Sequence, residues 1–171
     1  DAIDAAFSLA DQTAPYDSGF IRPGGYALAQ LDPGAEWDLE SAVCDDGSPV
    51  GAVALDPGET VTCTFTNVKR GTLIVDEVTD PSGDPYLFDF TLTGGPDAID
   101  AAFSLADASA PYESGLVRPG GYALAQLDPG AEWDLASAVC DDGSPVGAVV
   151  LDPGETVTCT FTNIKRGSLI V

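Results

Sequence analysis

The sequence predicts an all-β chain of tandem seven-stranded β-sandwich domains joined by very short linkers. Three observations predict it. Short runs alternating apolar and polar residues recur between Pro, Gly and Asp turns, and helical periodicity is hard to find. The chain repeats itself at a period of 96 residues, so that Asp1 matches Asp97, Trp37 matches Trp133 and Val75 matches Val171, with nine differences over the 75 shared positions. Only the polar stretch Asn163-Ile-Lys-Arg-Gly167, and its copy from Asn67, separates the run ending one repeat from the run opening the next.

The complete repeat yields its elements in order. Thr72–Thr79 is a first apolar strand, and Asp80-Pro-Ser-Gly-Asp-Pro85 can only be a loop. Tyr86–Leu92 places Tyr86, Phe88, Phe90 and Leu92 on a core face, against Leu87, Asp89 and Thr91. Ala101–Ala106 is a short strand carrying Phe103 and Leu105, although its Ala content also suits a helical turn. Gly115–Arg118 follows a loop, and the Arg118-Pro-Gly-Gly121 turn opens Tyr122–Leu127. Glu132–Val139 sets Trp133 and Leu135 opposite Glu132 and Asp134. A short apolar run, Val146–Leu151, precedes the turn Asp152-Pro-Gly-Glu155, whose Pro and Gly suit the centre of a type II turn. In the last strand Val157, Cys159 and Phe161 alternate with threonines, a spacing of about seven strands per hundred residues that fits a sandwich.

The repeat phase gives three segments: a partial repeat at 1–70 without a counterpart of Gly71–Pro96, a complete repeat at 71–166, and at 167–171 the first strand of a following repeat. The expected context is a longer repeat chain, or a neighbour that donates the missing strands by β-augmentation. The net charge of −22, from 28 acidic and 6 basic residues, argues against nucleic acid and anionic membrane as partners. No apolar run reaches membrane-spanning length. Four cysteines, Cys44 and Cys63 with their copies Cys140 and Cys159, suggest disulfides within each repeat and an oxidising compartment. Without CxxC pairs or histidine they do not form a zinc pattern. Strict alternation from Trp37, Leu39 and Val43 puts Cys44 on the solvent face, so a bulge or strand end near Ala42–Asp45 must turn it inward.

The succession Gly-Thr-Leu-Ile-Val, Tyr-Leu-Phe-Asp-Phe-Thr-Leu-Thr-Gly, Arg-Pro-Gly-Gly-Tyr-Ala-Leu-Ala-Gln, Glu-Trp-Asp-Leu and Gly-Glu-Thr-Val-Thr-Cys-Thr-Phe-Thr-Asn resembles a prealbumin-like (transthyretin-like) domain, the B-type repeat of bacterial collagen adhesins and pilins. The resemblance covers the whole repeat and implies a bacterial, secreted or cell-surface structural module. Some relatives close a Lys–Asn isopeptide between first and last strands with the help of a buried Glu. Here Asn67 and Asn163 stand at the Asn position, but Leu73–Val78 holds no Lys, and Gln30 and Gln126 stand where Glu would be. A neutral amide cannot shuttle the proton and no amine is placed to attack. The expectation is therefore no internal isopeptide, with the cysteine pair as the covalent tie in its stead.

Acidic clusters at Asp45 and Asp46, at Asp76, Glu77, Asp80 and Asp84, and at Asp97 with Asp100 suggest calcium, which takes six to eight oxygens. The competing reading is solvated turns, for which Asp is well suited. The threonine row Thr60, Thr62, Thr64, Thr66 reads as the solvent face of a strand. Catalysis has no support: there is no histidine, no thiol left over once the cysteines pair, and no phosphate-binding Gly loop before a helix. The sequence thus points to a non-enzymatic module of an extracellular filament, stalk or fibre. The alternative is an adhesin whose loops contact a host or matrix ligand. Loop aromatics are confined to Tyr16 and Tyr112, few for a binding hot spot.

Overall fold

The computed structural model describes residues 4–171, so the first three residues of the 1–70 segment lie outside the described residues. Two compact units divide the chain, one of Asp1–Asp32 with Ser41–Thr66, the other of Pro33–Glu40 with Asn67–Val171. Four strands come first: β1 (Gly24–Tyr26), β2 (Trp37–Cys44), β3 (Val53–Leu55) and β4 (Cys63–Lys69). β1 pairs antiparallel with β3, and β2 pairs with β4. Between Asp4 and Pro23 no strand forms, although the corresponding residues one repeat later, which differ at five positions, supply two.

Those two, and six more, build a sandwich in the second unit: β5 (Gly71–Asp80), β6 (Phe88–Gly94), β7 (Ile99–Leu105), β8 (Tyr112–Val117), β9 (Gly120–Gln126), β10 (Trp133–Cys140), β11 (Val149–Leu151) and β12 (Thr156–Lys165). One sheet runs β10-β12-β5-β8 and the other β11-β9-β6-β7. The count is eight strands where the sequence suggests seven, the eighth being the three-residue β11 that follows a 3₁₀ turn at Val146–Ala148. β7 is a strand along its whole length and not a helical turn, because β6 gives it seven paired positions, from Phe88↔Leu105 to Gly94↔Ile99. β8 pairs with β5, which also brings Tyr112 out of the expected loop and into a strand. The chain holds one copy of the segment containing β5 and β6. The first-copy counterparts of β7 and β8 therefore lack such partners within this chain, which explains why similar sequence yields unequal structure.

The core follows the alternation. Leu73 and Val75 of β5, Phe88, Phe90 and Leu92 of β6, Tyr122 and Leu124 of β9, and Val157, Cys159 and Phe161 of β12 all point between the sheets and are buried. Each such aliphatic or aromatic side chain contributes roughly 1.5–3 kcal/mol of burial free energy. Trp133 anchors one end, edge-on to Phe88 at 5.1 Å. Tyr86 lies beyond the start of β6 and is 41% exposed, so the inward face begins at Phe88. Leu135, expected beside Trp133, is half exposed where β10 breaks register. Gly167–Val171 carries no strand and is exposed.

Candidate functional site

The register break in β10 settles how Cys140 turns inward. Trp133, Asp134 and Leu135 pair with Lys165, Ile164 and Asn163, and pairing resumes with Ser137 opposite Thr162, which leaves Ala136 as an extra residue. The bulge shifts the alternation by one, so that Val139 faces out and Cys140 faces in, opposite Cys159. The two are joined by a disulfide, as are Cys44 and Cys63, each pair 19 residues apart in sequence. The bulge lies nearer the strand's centre than the strand-end position expected from the sequence. Ala136 is also the site of the only pronounced difference between the repeats, Glu40 against Ala136. An unpaired, exposed bulge residue tolerates either.

A second centre lies between β5, β9 and β12. The Asn163 Nδ2 donates to Glu77 Oε1 at 2.7 Å and to Gln126 Oε1 at 3.1 Å, and Gln126 Nε2 donates back to Asn163 Oδ1 at 3.0 Å. Glu77 is 2% exposed and Asn163 fully buried. Glu77 Oε2 has no hydrogen-bond partner among the described residues. Burial, with a smaller push from the Asp107 and Asp76 carboxylates and against the Asn163 hydrogen bond, raises the Glu77 carboxyl to about 7. Lysine is absent from this centre: Lys165 Nζ lies 2.8 Å from Asp84 and over the Trp133 ring. The arrangement holds a carboxyl and two amides with no amine, and what it can do chemically is bind a proton.

Glu77 therefore leaves the calcium set. It shares the inward face of Leu73, Val75 and Thr79, whereas Asp76 lies on the other face of β5. The alternation of that strand already carried this signal. Of the remaining acids, Asp45, Asp46 and Asp84 make bonds within the fold. Asp45 accepts from the Thr62 amide at 2.9 Å, and Asp46 accepts from the Ser48 amide and hydroxyl, which hold its carboxyl below the usual range. Asp84 accepts from Lys165 and the Tyr86 amide and is likewise lowered, first by Lys165. Among the described residues no three His, Cys, Asp or Glu side chains converge as a metal site.

The third centre is the passage from β4 into β5, which a single residue, Arg70, accomplishes. The turn between β11 and β12 pins it from the side: Gly154 N donates to Lys69 O at 3.1 Å, and Thr72 N donates to Glu155 O at 2.9 Å. A Cβ on Gly71 would lie 2.5 Å from the Glu155 carbonyl oxygen, so only glycine permits this approach. Around it, within the second unit, Arg70 and Arg118 alternate with Asp38 and Asp97. Arg70 Nε and Nη2 both reach Asp38 at 2.9 Å, its Nη1 reaches Asp97 at 3.2 Å, and Arg118 touches Asp38 at 3.2 Å and Asp97 at 3.5 Å. The Arg70 hydrogen bonds lower the Asp38 pKa. These four are far apart in sequence, and nothing in local pattern singles them out.

Comparison with known proteins gives the family of the fold. A family model described as the prealbumin-like fold domain matches residues 73–165. No curated protein matches the chain. Among solved structures, a bacterial adhesin from Mobiluncus mulieris containing intramolecular disulfide, isopeptide and ester bond cross-links is similar at 16% identity and a TM-score of 0.42, over 72% of this chain. The chain spans 50% of that adhesin. The major pilin protein T-13 from Streptococcus pyogenes is similar at 14% identity and a TM-score of 0.47, over 86% of this chain and 69% of the pilin. At these TM-scores the two are likenesses only, and the fold rests on the family match and the sandwich itself.

Proposed function

We propose, from the premise that this chain belongs to the prealbumin-like fold domain family through residues 73–165, that it is a structural module of an extracellular filament, stalk or cell-surface fibre built from tandem repeats. The observation that carries this reading is the passage of β4 into β5 across Arg70 alone, pinned by the β11–β12 turn. A joint of one residue with backbone hydrogen bonds on its flank transmits strand direction, unlike a Gly/Ser linker. The 96-residue repeat brings the sequence of this joint, Lys69-Arg70-Gly71, round again as Lys165-Arg166-Gly167. Disulfides support a location outside the reducing cytosol. The proton-binding centre and the scattered acids offer no nucleophile with an adjacent base, which supports a non-enzymatic role. Partners on this reading are further copies of the repeat, in the same chain or a neighbouring one.

Negative-stain imaging of the secreted material tests it. Long uniform filaments advancing about 35–45 Å per repeat, the span of an eight-residue strand with its end loops, are expected. Isolated flexible rods would overturn the filament in favour of an adhesin that uses its loops. Denaturing gels of the filaments then separate a continuous chain, seen as a ladder or very large species, from strand donation, seen as one band near 17.5 kDa.

A further inference from the structure

The exposed pair Asp134–Arg166 repeats one half of a ring that is closed elsewhere in the chain, and we propose that it is a docking surface for a second copy of this repeat, engaged end to end. The inference rests on the tandem-repeat reading and names the surface and its occupant.

The template is the four-membered ring of Asp38, Arg70, Asp97 and Arg118. Two of its members, Asp38 and Arg70, recur one period later as Asp134 and Arg166, and the other two, Asp97 and Arg118, have their earlier copies in Asp1 and Arg22. Every repeat therefore encodes both halves. The later half is already assembled in the same way. Arg166 N donates to Glu132 O at 2.8 Å, as Arg70 N does to Glu36 O at 2.8 Å, and the Arg166 guanidinium grips Asp134 through Nε and Nη2, as Arg70 grips Asp38. The difference is cover. In the closed ring the Arg70 and Asp38 side chains are 23% and 19% exposed, whereas Arg166 and Asp134 are 55% and 53% exposed. Arg70 spends its Nη1 on Asp97, and Arg166 turns its own to the Ala131 carbonyl at 3.3 Å.

Charge selects the occupant. The chain carries −22, which opposes association of like surfaces. Each half-ring is itself neutral, one Asp with one Arg, so closure adds no repulsion and links a bidentate pair and a single-contact pair into an alternating network. The planar guanidinium fork matches a carboxylate on each side, which a lysine could not do. Because the two halves differ, the contact is head-to-tail and leaves a free half at each end, the geometry that propagates instead of closing into a dimer.

The test reads the exchange of the arginine Nε–H protons by NMR. In this chain Arg70 is expected to exchange slowly and Arg166 fast. Fusing a further copy of residues 71–166 directly after Arg166 should slow Arg166 severalfold, to the rate of Arg70, and Asp97→Ala made only in the added copy should return it. Within the unextended chain, Asp97→Ala should bring Arg70 to the rate of Arg166, with disulfides and circular dichroism unchanged. Fast exchange at Arg166 in the extended chain overturns the proposal. So does slowing that survives the substitution, or an Arg70 rate indifferent to Asp97→Ala. Filaments with an unprotected Arg166 would sink the ring and leave the filament standing. A closed ring in material that forms only isolated rods would sink the filament alone.

Discussion

At the scale of single residues the molecule turns on Glu77. Its carboxyl accepts from the Asn163 amide and pairs with no cation among the described residues, and its pKa stands at about 7 against 4.5 unfolded. The folded state therefore keeps a proton that the unfolded chain releases, and stability falls as pH rises between those values. A shift of that size corresponds to roughly 3 kcal/mol at most. Unfolding followed by urea titration should show the chain more stable near pH 5 than near pH 8. Glu77→Gln, which keeps the shape and removes the charge, should flatten that slope and raise neutral-pH stability. An unchanged slope would mean that Glu77 is ionised and solvated. The alternation Leu73, Val75, Glu77, Thr79 made the inward position legible in sequence. Its partners were not, because Asn163 lies 86 residues away. At the joint, Gly71→Ala should cost on the order of 1–3 kcal/mol, because the new methyl meets the Glu155 carbonyl instead of a side chain that could move. A melting temperature equal to that of the parent would show that the turn yields.

At the scale of elements, the bulge and the cross-link belong together. β10 changes register by one residue at Ala136, so removing that residue should restore one continuous ladder and leave Cys140 inward and still opposite Cys159. Intact-mass analysis of the Ala136 deletion should show the disulfides intact, and free thiols would place the bulge elsewhere. Ala136→Glu, which copies the other repeat, should change stability by no more than about 0.5 kcal/mol. Replacing Cys140 and Cys159 together by Ser should cost about 2–4 kcal/mol, read from the denaturation midpoint, since the tie closes a loop of 19 residues. Strand periodicity displayed β5, β6, β9 and β12 plainly, because each alternates over a long run. It also called for a bulge or strand end to turn the cysteine inward, but the position of the bulge and the strand character of β11 within the run Val146–Leu151 escaped it. Three residues are too few to show a period, and an inserted residue looks in sequence like an ordinary strand position.

At the scale of the whole molecule, the two copies show how far sequence decides structure alone. Residues 4–23 form no strand, while their counterparts form β7 and β8 by pairing with β6 and β5. The aromatic contact survives regardless: Phe7 stacks on Tyr16 at 4.0 Å, as Phe103 does on Tyr112 at 3.7 Å. Hydrogen-exchange mass spectrometry distinguishes the copies by mass, and amides of 99–117 should be protected where those of 4–21 exchange at once. Equal protection would mean that the first copy finds partner strands. The parallel placement of β5 and β12 has a mechanical consequence. These strands share nine paired positions, from Thr156↔Thr72 to Ile164↔Asp80, and point the same way. A force applied at Gly71 and Lys165 therefore pulls on opposite ends of neighbouring strands and loads those rungs together, in shear. A force applied at Gly71 and Val117, which lie opposite each other on antiparallel β5 and β8, would peel rungs one after another. Single-molecule stretching should find the first direction much the stronger. That direction is the one in which the chain enters and leaves the sandwich, so tension along a string of such modules would fall on their most resistant axis.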